Sequence, residues 1–206
     1  MSVTLLLIAL IGITSYMAFN DRGKFYKMMH IPYVEAREKQ YYRWLSSIFV
    51  HANMTHLLIN LLVFYSFGQV VENYFLAVFG DLMGRVNFLL LFLLSGIAAD
   101  IPTYFKHRNN PNFSSVGASG AVSGVMLSSV LFAPWQTWYF FFVIPVWAIV
   151  AAVLYLGYSS YASRQEGGFI DHDAHFYGAV FGALFTIVLE PNIFPFFIAQ
   201  LKELPF

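Results

Sequence analysis

The chain contains no cysteine, and only 11% of its 206 residues are charged. The first absence excludes disulfides, thiolate nucleophiles and cysteine-ligated metals, and it leaves the redox compartment unread. The second is about half the charged share of a soluble domain. Lys plus Arg and Asp plus Glu number 11 each, so the formal net charge is zero. That balance offers no electrostatic case for nucleic acid. Between Arg108 and Arg164 there is no Asp, Glu, Lys or Arg at all.

What is present is apolar. Hydrophobic residues make up 59% and aromatics 19%, with a mean hydropathy of +0.64. This composition predicts an all-α, polytopic membrane protein, with residues 1–206 as a single domain. The first apolar run has no Lys or Arg before it and reads as a retained span, not a cleaved signal peptide.

Six spans are expected, at about residues 3–19, 54–71, 86–105, 117–132, 138–158 and 174–189. The uncharged run is too long for one crossing. Pro134 breaks it, and Trp135 marks an interface. Span three is expected to end near Asp100, Pro102 and the Lys106-His107-Arg108-Asn109-Asn110-Pro111 cluster, and residues 164–168 read as a loop. The long first loop, residues 20–53, carries most of the Lys and Arg beside Tyr41, Tyr42 and Trp44, and is expected to hold short interfacial helices. The Pro-interrupted tail from Asn192 should lie along the interface. The Phe and Tyr of spans two and five read as lipid-facing bulk.

Helix parity then gathers chemistry on one face of the membrane. Even-numbered spans enter from the same side, so their N-terminal ends share one depth. Span four opens at Ser119 within Gly117-Ala118-Ser119-Gly120, span six at Ala174-His175, and span two carries His56 and Asn60 after His51. His175, Gly178 and Gly182 share one stripe, and His56 and Asn60 share another. Gly120 with Gly124, and Gly178 with Gly182, are GxxxG pairs that let two backbones approach. If those stripes meet, His175 can reach the Ser119 hydroxyl.

A serine hydroxyl becomes a nucleophile once a neighbouring base takes its proton. His175 is the candidate base, and the candidate acid for the leaving amine. His56, Asn60 and the Ser119 amide could donate to an oxyanion. Asp171 and Asp173 read as loop or cap residues, which predicts a Ser–His dyad rather than a triad. Polar groups at membrane depth are costly and mark function more often than they do in soluble proteins. His51 is ambiguous, with anchoring of the loop favoured over chemistry. His172 reads as a bystander, and His30 and His107 as loop residues without a role. A metal at His51, His56 and His175 is conceivable by ligand type, but no HExxH supports it, so neither metal nor cofactor is expected.

These residues resemble rhomboid intramembrane serine proteases. Gly117-Ala118-Ser119-Gly120 is similar to their GxSG motif. Ala174-His175 with Gly178 and Gly182 is similar to AHxxGxxxG, and His51, His56 and Asn60 to HxxxxHxxxN. The resemblance covers essentially the whole chain. It implies a bacterial six-helix bundle with Ser119 as nucleophile, His175 as base, and His56, Asn60 and the Ser119 amide as oxyanion donors. It implies that the first loop is partly embedded, and Arg43 fits the family's Trp-Arg pair, although Tyr42 stands where Trp is usual. Family members often carry an aromatic one turn after the nucleophile, stacked on the histidine; Ser123 stands there and cannot stack.

The implied partners are transmembrane protein substrates and membrane lipid, and the implied location is a bacterial inner membrane with the active site toward the extracytoplasmic side. The charge pattern points the other way. Nine of the basic residues lie in the first, third and fifth loops, against Arg85 and Lys202 opposite. The alternatives to a protease are a catalytically inactive rhomboid-like escort protein, which would lack the serine or histidine kept here, and a proton-conducting transporter, for which paired intramembrane carboxylates and an inverted repeat are missing.

Overall fold

A computed structural model describes residues 2–140, 143–164 and 171–203 of the chain. The expected loop at 164–168 falls mostly outside them. Helix α1 covers Val3–Phe19, followed by α2 (Arg22–Met28), α3 (Pro32–Glu38) and α4 (Arg43–Ser46), with a 3-10 turn at Ser47–Phe49. The first loop thus holds short helices, as expected. Helix α5 runs Met54–His107 and is two arms, not one rod, because Gly80 takes φ 77° and turns the chain back. Only glycine adopts that conformation without strain. Phe64 then packs on Phe88 and Phe92 across the arms, at ring separations of 6.4 and 4.6 Å.

Helix α6 (Ser119–Phe132) is the axis of the bundle. Fourteen residues rise about 21 Å, short of a hydrocarbon core of about 30 Å. Eleven of them are buried, so α6 faces protein and has no need to match the lipid. It packs on both arms of α5 and on α8 (His172–Leu189). Of the helices, α5 and α8 are long and apolar enough to cross a bilayer by length and composition; α1, α6 and α7 are shorter apolar helices.

Two expectations need correction. The residues expected to open span five form an antiparallel hairpin, β1 (Thr137–Phe140) with β2 (Ile144–Trp147), and only Ala148–Ala162 is helical, as α7. Trp138 and the β-branched residues flanking Pro145 suit a strand pair as well as a helix, so apolarity alone could not separate the two. Span three runs through Asp100 and Pro102 to His107, at the 106–111 cluster, and the buried Asp100 carboxylate accepts from Ser47 Oγ at 3.1 Å. Span two is not mere lipid-facing bulk either, since Phe64 has no exposed surface. The tail forms α9 (Ile193–Lys202), tied to the end of α6 by Trp135 Nε1 donating to the Gln200 carbonyl and Gln200 Nε2 to that of Phe132.

On the face opposite the site, Glu72 closes the start of α1. It accepts from Ser2 Oγ, the Val3 and Thr4 amides and Thr4 Oγ1, all within 2.7–2.9 Å. A helix N-terminus near apolar surroundings needs such acceptors for its free N–H groups.

Candidate active site

Ser119 is the first residue of α6, and His175 lies in the first turn of α8. The two helices touch along glycines. A Cβ on Gly178 would collide with the Gly120 carbonyl, and one on Gly182 with the Gly124 carbonyl. The Ala174 carbonyl stands 3.4 Å from where a Gly120 Cβ would be. The small-residue stripes therefore meet as expected, and Ser119 and His175 each neighbour a residue in that seam. Among the described residues, no hydrogen bond joins the Ser119 hydroxyl to His175. Such bonds are often long before substrate arrives.

Gly117 takes φ 124°, and its α-carbon faces the His56 ring; a Cβ there would stand 2.8 Å from Cε1 and 3.0 Å from Nε2. The His56 imidazole thus lies against Gly117, two residues upstream of Ser119. Asn60 Nδ2 donates to the His56 carbonyl at 3.0 Å, with its second hydrogen left over. His51 is fully buried and bridges three segments. Its Nε2 accepts from the Ala118 amide at 3.3 Å, so Nδ1 carries the proton and donates to Ser15 Oγ at 3.0 Å, while Ser15 donates on to the Phe49 carbonyl. Burial, then the neighbouring His56, pushes the His51 pKa down to about 3. This is the anchoring role favoured for His51. It also occupies the Ala118 amide, which leaves the Ser119 amide as a free donor at this helix start.

A cavity of about 20 Å³ lies beside Ser119, lined by Ser47, Asp100, Gly117, Gly120 and Asp171 among others. That is room for about one water. Asp171 caps α8, accepting from the Ala174 amide at 2.9 Å and from Thr103 Oγ1 at 3.2 Å. Asp173 pairs with Lys106 at 2.6 Å. Both aspartates are thus engaged as the cap and loop residues expected of them.

Residues 38–192, well over half of the chain, match the Rhomboid domain. The chain belongs to the rhomboid family.

Rhomboids are integral membrane proteins, and the helical bundle described above fits that setting. The chain is similar to "Rhomboid-like protein 11, chloroplastic" of Arabidopsis thaliana, at 29% identity over 73% of this chain and 53% of that protein. It is similar to "Rhomboid protease GlpG" of Haemophilus influenzae, at 30% identity over 60% of this chain and 59% of that one. It is also similar to "Inactive rhomboid protein 1" of Drosophila melanogaster, at 30% identity over 48% of this chain but 6% of that protein. The chain thus covers less than two thirds of each relative's length.

The rhomboid comparison sharpens two departures. Arg43 is buried and clamps the first loop, its guanidinium donating to the Tyr26 and Met29 carbonyls at 2.6 and 2.9 Å and to Gln40 Oε1 at 2.8 Å. Tyr42, in the usual Trp position, is exposed. At Ser123 the missing aromatic is supplied from elsewhere. The Tyr155 ring of α7 stacks on His175, with centroids 6.2 Å apart and planes 22° from parallel. Tyr155 is therefore not the lipid-facing bulk expected of span five. It shares a helical stripe with the buried Ala148, Ala152 and Ser159, a spacing visible in the sequence.

Three histidines read as unimportant are also built in. His172 meets the His175 ring edge-on at 5.8 Å. His107 stacks on Phe113 at 3.8 Å. His30 is buried against Glu35 at 2.8 Å. Burial opposes its charge, but the Asp100 and Glu35 carboxylates outweigh burial and raise its pKa. Glu35 also accepts from the Ile31 amide and Trp44 Nε1, and the His30 backbone bridges to Ser115 just before α6. This cluster fastens the first loop beside the Ser119 turn.

Proposed function

We propose that this rhomboid is an intramembrane serine endopeptidase that cleaves transmembrane helices of other membrane proteins. Ser119 Oγ attacks the scissile carbonyl carbon, and its proton passes to His175. The Ser119 amide, the His56 ring and the Asn60 side chain hold the oxyanion that forms. His175 then gives its proton to the departing amine, and water hydrolyses the ester left on Ser119. The observation that carries the reading is the glycine seam between α6 and α8, which brings the first turns bearing Ser119 and His175 against each other while His56 covers Gly117. A helical peptide bond is protected by its own hydrogen bonds, so substrates must unwind locally, and small or helix-breaking residues are expected at the cut. The site faces the extracytoplasmic side of a bacterial inner membrane.

The second reading is an inactive escort protein, favoured by the similarity to the inactive Drosophila relative. Cleavage of a fluorogenic transmembrane substrate in proteoliposomes separates the two. The endopeptidase reading expects turnover by the wild type and none by Ser119→Ala or His175→Ala. A wild type that binds the helix without cutting it would favour the escort.

A further inference from the structure

Ser123 is buried, and its hydroxyl has two polar neighbours. It donates to the Ser119 carbonyl at 2.6 Å, and it lies 2.5 Å from Tyr155 Oη. A serine hydroxyl has one hydrogen, and the Ser119 carbonyl takes it. Tyr155 is therefore the donor in the second bond, and Ser123 Oγ is its acceptor. The same Tyr155 presents its ring to the His175 imidazole in a stacked arrangement, within the separation at which aromatic pairs attract. On its edge, His175 meets His172. The imidazole is thus held on its face by α7 and on its edge by its own helix.

Two facts make this arrangement more than packing. The hydroxyl that fixes Tyr155 also binds the backbone of Ser119, so the serine's own carbonyl, the Tyr155 phenol and the His175 ring form one connected frame. And the other ties of α7 at this level are apolar or aromatic. Val150, Val153, Leu154 and Tyr161 are exposed, its buried residues are mostly alanines, and Tyr158 meets the His172 ring edge-on at 5.4 Å. Among the described residues, the Tyr155–Ser123 bond is the polar tie from α7 to α6.

We propose that Tyr155 is a positioning residue for His175, held in register by Ser123, so that a residue of α7 sets the ring from which the base would act. This rests on the Ser119–His175 reading above. Tyr155 takes no proton from substrate and touches no reacting atom. It restricts the imidazole to the orientation that faces Ser119.

The test compares kcat and KM for the wild type, Tyr155→Leu, Tyr155→Phe, Ser123→Ala and the Tyr155→Phe/Ser123→Ala double variant, on a fluorogenic transmembrane substrate in proteoliposomes. Misplacing a catalytic group by about an ångström can cost about 100-fold. Tyr155→Leu should lower kcat at least about tenfold with KM within about twofold. Tyr155→Phe keeps the ring and should lose no more than about fivefold, a partial rescue that separates stacking from bulk. The double variant should be no worse than Ser123→Ala, since both changes cut the same bond. A wild-type kcat in Tyr155→Leu, a loss confined to KM, or a double variant equal to the product of the singles would each overturn the proposal.

A readout independent of turnover guards against an inert wild type or a misfolded variant. In protein carrying 13C-labelled histidine, the His175 ring signal is assigned by its loss in His175→Ala. Removing the stacked ring in Tyr155→Leu should move that signal, while the His30 signal, from the ring buried against Glu35 in the first loop, stays in place as evidence of folding. Tyr155→Phe should move it far less. A His175 signal unmoved in a folded Tyr155→Leu would end the proposal whatever the activity. A wild type that does not cleave, with the signal moved, would count against the protease reading alone.

Discussion

Gly178 in α8 faces the carbonyl oxygen of Gly120 in α6 so closely that no side-chain carbon fits between them. The neighbour is backbone and cannot rotate away. Gly178→Ala must therefore part the helices or distort one of them. Overpacking of this kind costs about 1–3 kcal/mol. The expected outcome is a lower melting temperature in detergent, and cleavage reduced at least about tenfold because Ser119 and His175 move apart. Wild-type activity in Gly178→Ala would mean that the seam does not set the site.

Gly117 is a second position without room. A methyl group there meets the His56 ring, and φ 124° disfavours any L-residue. Gly117→Ala should displace His56, the proposed oxyanion donor. Loss of one such donor costs about 10²–10³ in kcat, which steady-state kinetics will show.

His51 makes the fold sensitive to acid. Its pKa is about 3 when folded, against an ordinary 6.5 when unfolded. Between those values the unfolded chain binds the extra proton, so stability rises with pH and falls on acidification. His51's contribution is complete above about pH 6.5 and declines toward pH 3, at up to about 1.4 kcal/mol per pH unit. His30 runs the opposite way: its raised pKa favours the fold at low pH, and that contribution is lost as pH climbs through the raised value. Thermal melts from pH 7.5 to 4.5 should show a fall for wild type that is shallower in His51→Asn and steeper in His30→Asn.

Glu72 serves four donors at the start of α1, two of them backbone amides. Glu72→Ala strands them, at about 1–3 kcal/mol for each buried group left unpaired. Glu72 lies on the face away from Ser119, so the surviving folded fraction should keep the wild-type kcat. Chemical denaturation of Glu72→Ala, read beside active-site titration, checks both halves.

Much of the site was legible because its placement rests on helix parity and on glycine spacing. Ser119, His56 and His175 fall at helix starts that the count alone sends to one face, and Gly120 and Gly178 declare a close crossing. What could not be read depends on contacts between segments far apart in sequence. His30, Glu35 and Asp100 look like loop or span-end residues until the first loop folds back on α5, 53 residues beyond Ser47. Tyr155 gave a partial signal through its stripe with Ala148, Ala152 and Ser159, but nothing local to His175 calls for a ring from α7. The hairpin at Thr137–Trp147 was hidden because an apolar, aromatic segment of ten or so residues satisfies both strand and helix patterns.

The central claim is that His175 activates Ser119. Labelling with a fluorophosphonate, mapped by mass spectrometry, tests it at the atom concerned. The account predicts a single adduct on Ser119 in the wild type, absent in Ser119→Ala and greatly slowed in His175→Ala. Labelling of Ser119 at the same rate with and without His175, or no adduct on Ser119 in folded wild-type protein, would contradict it.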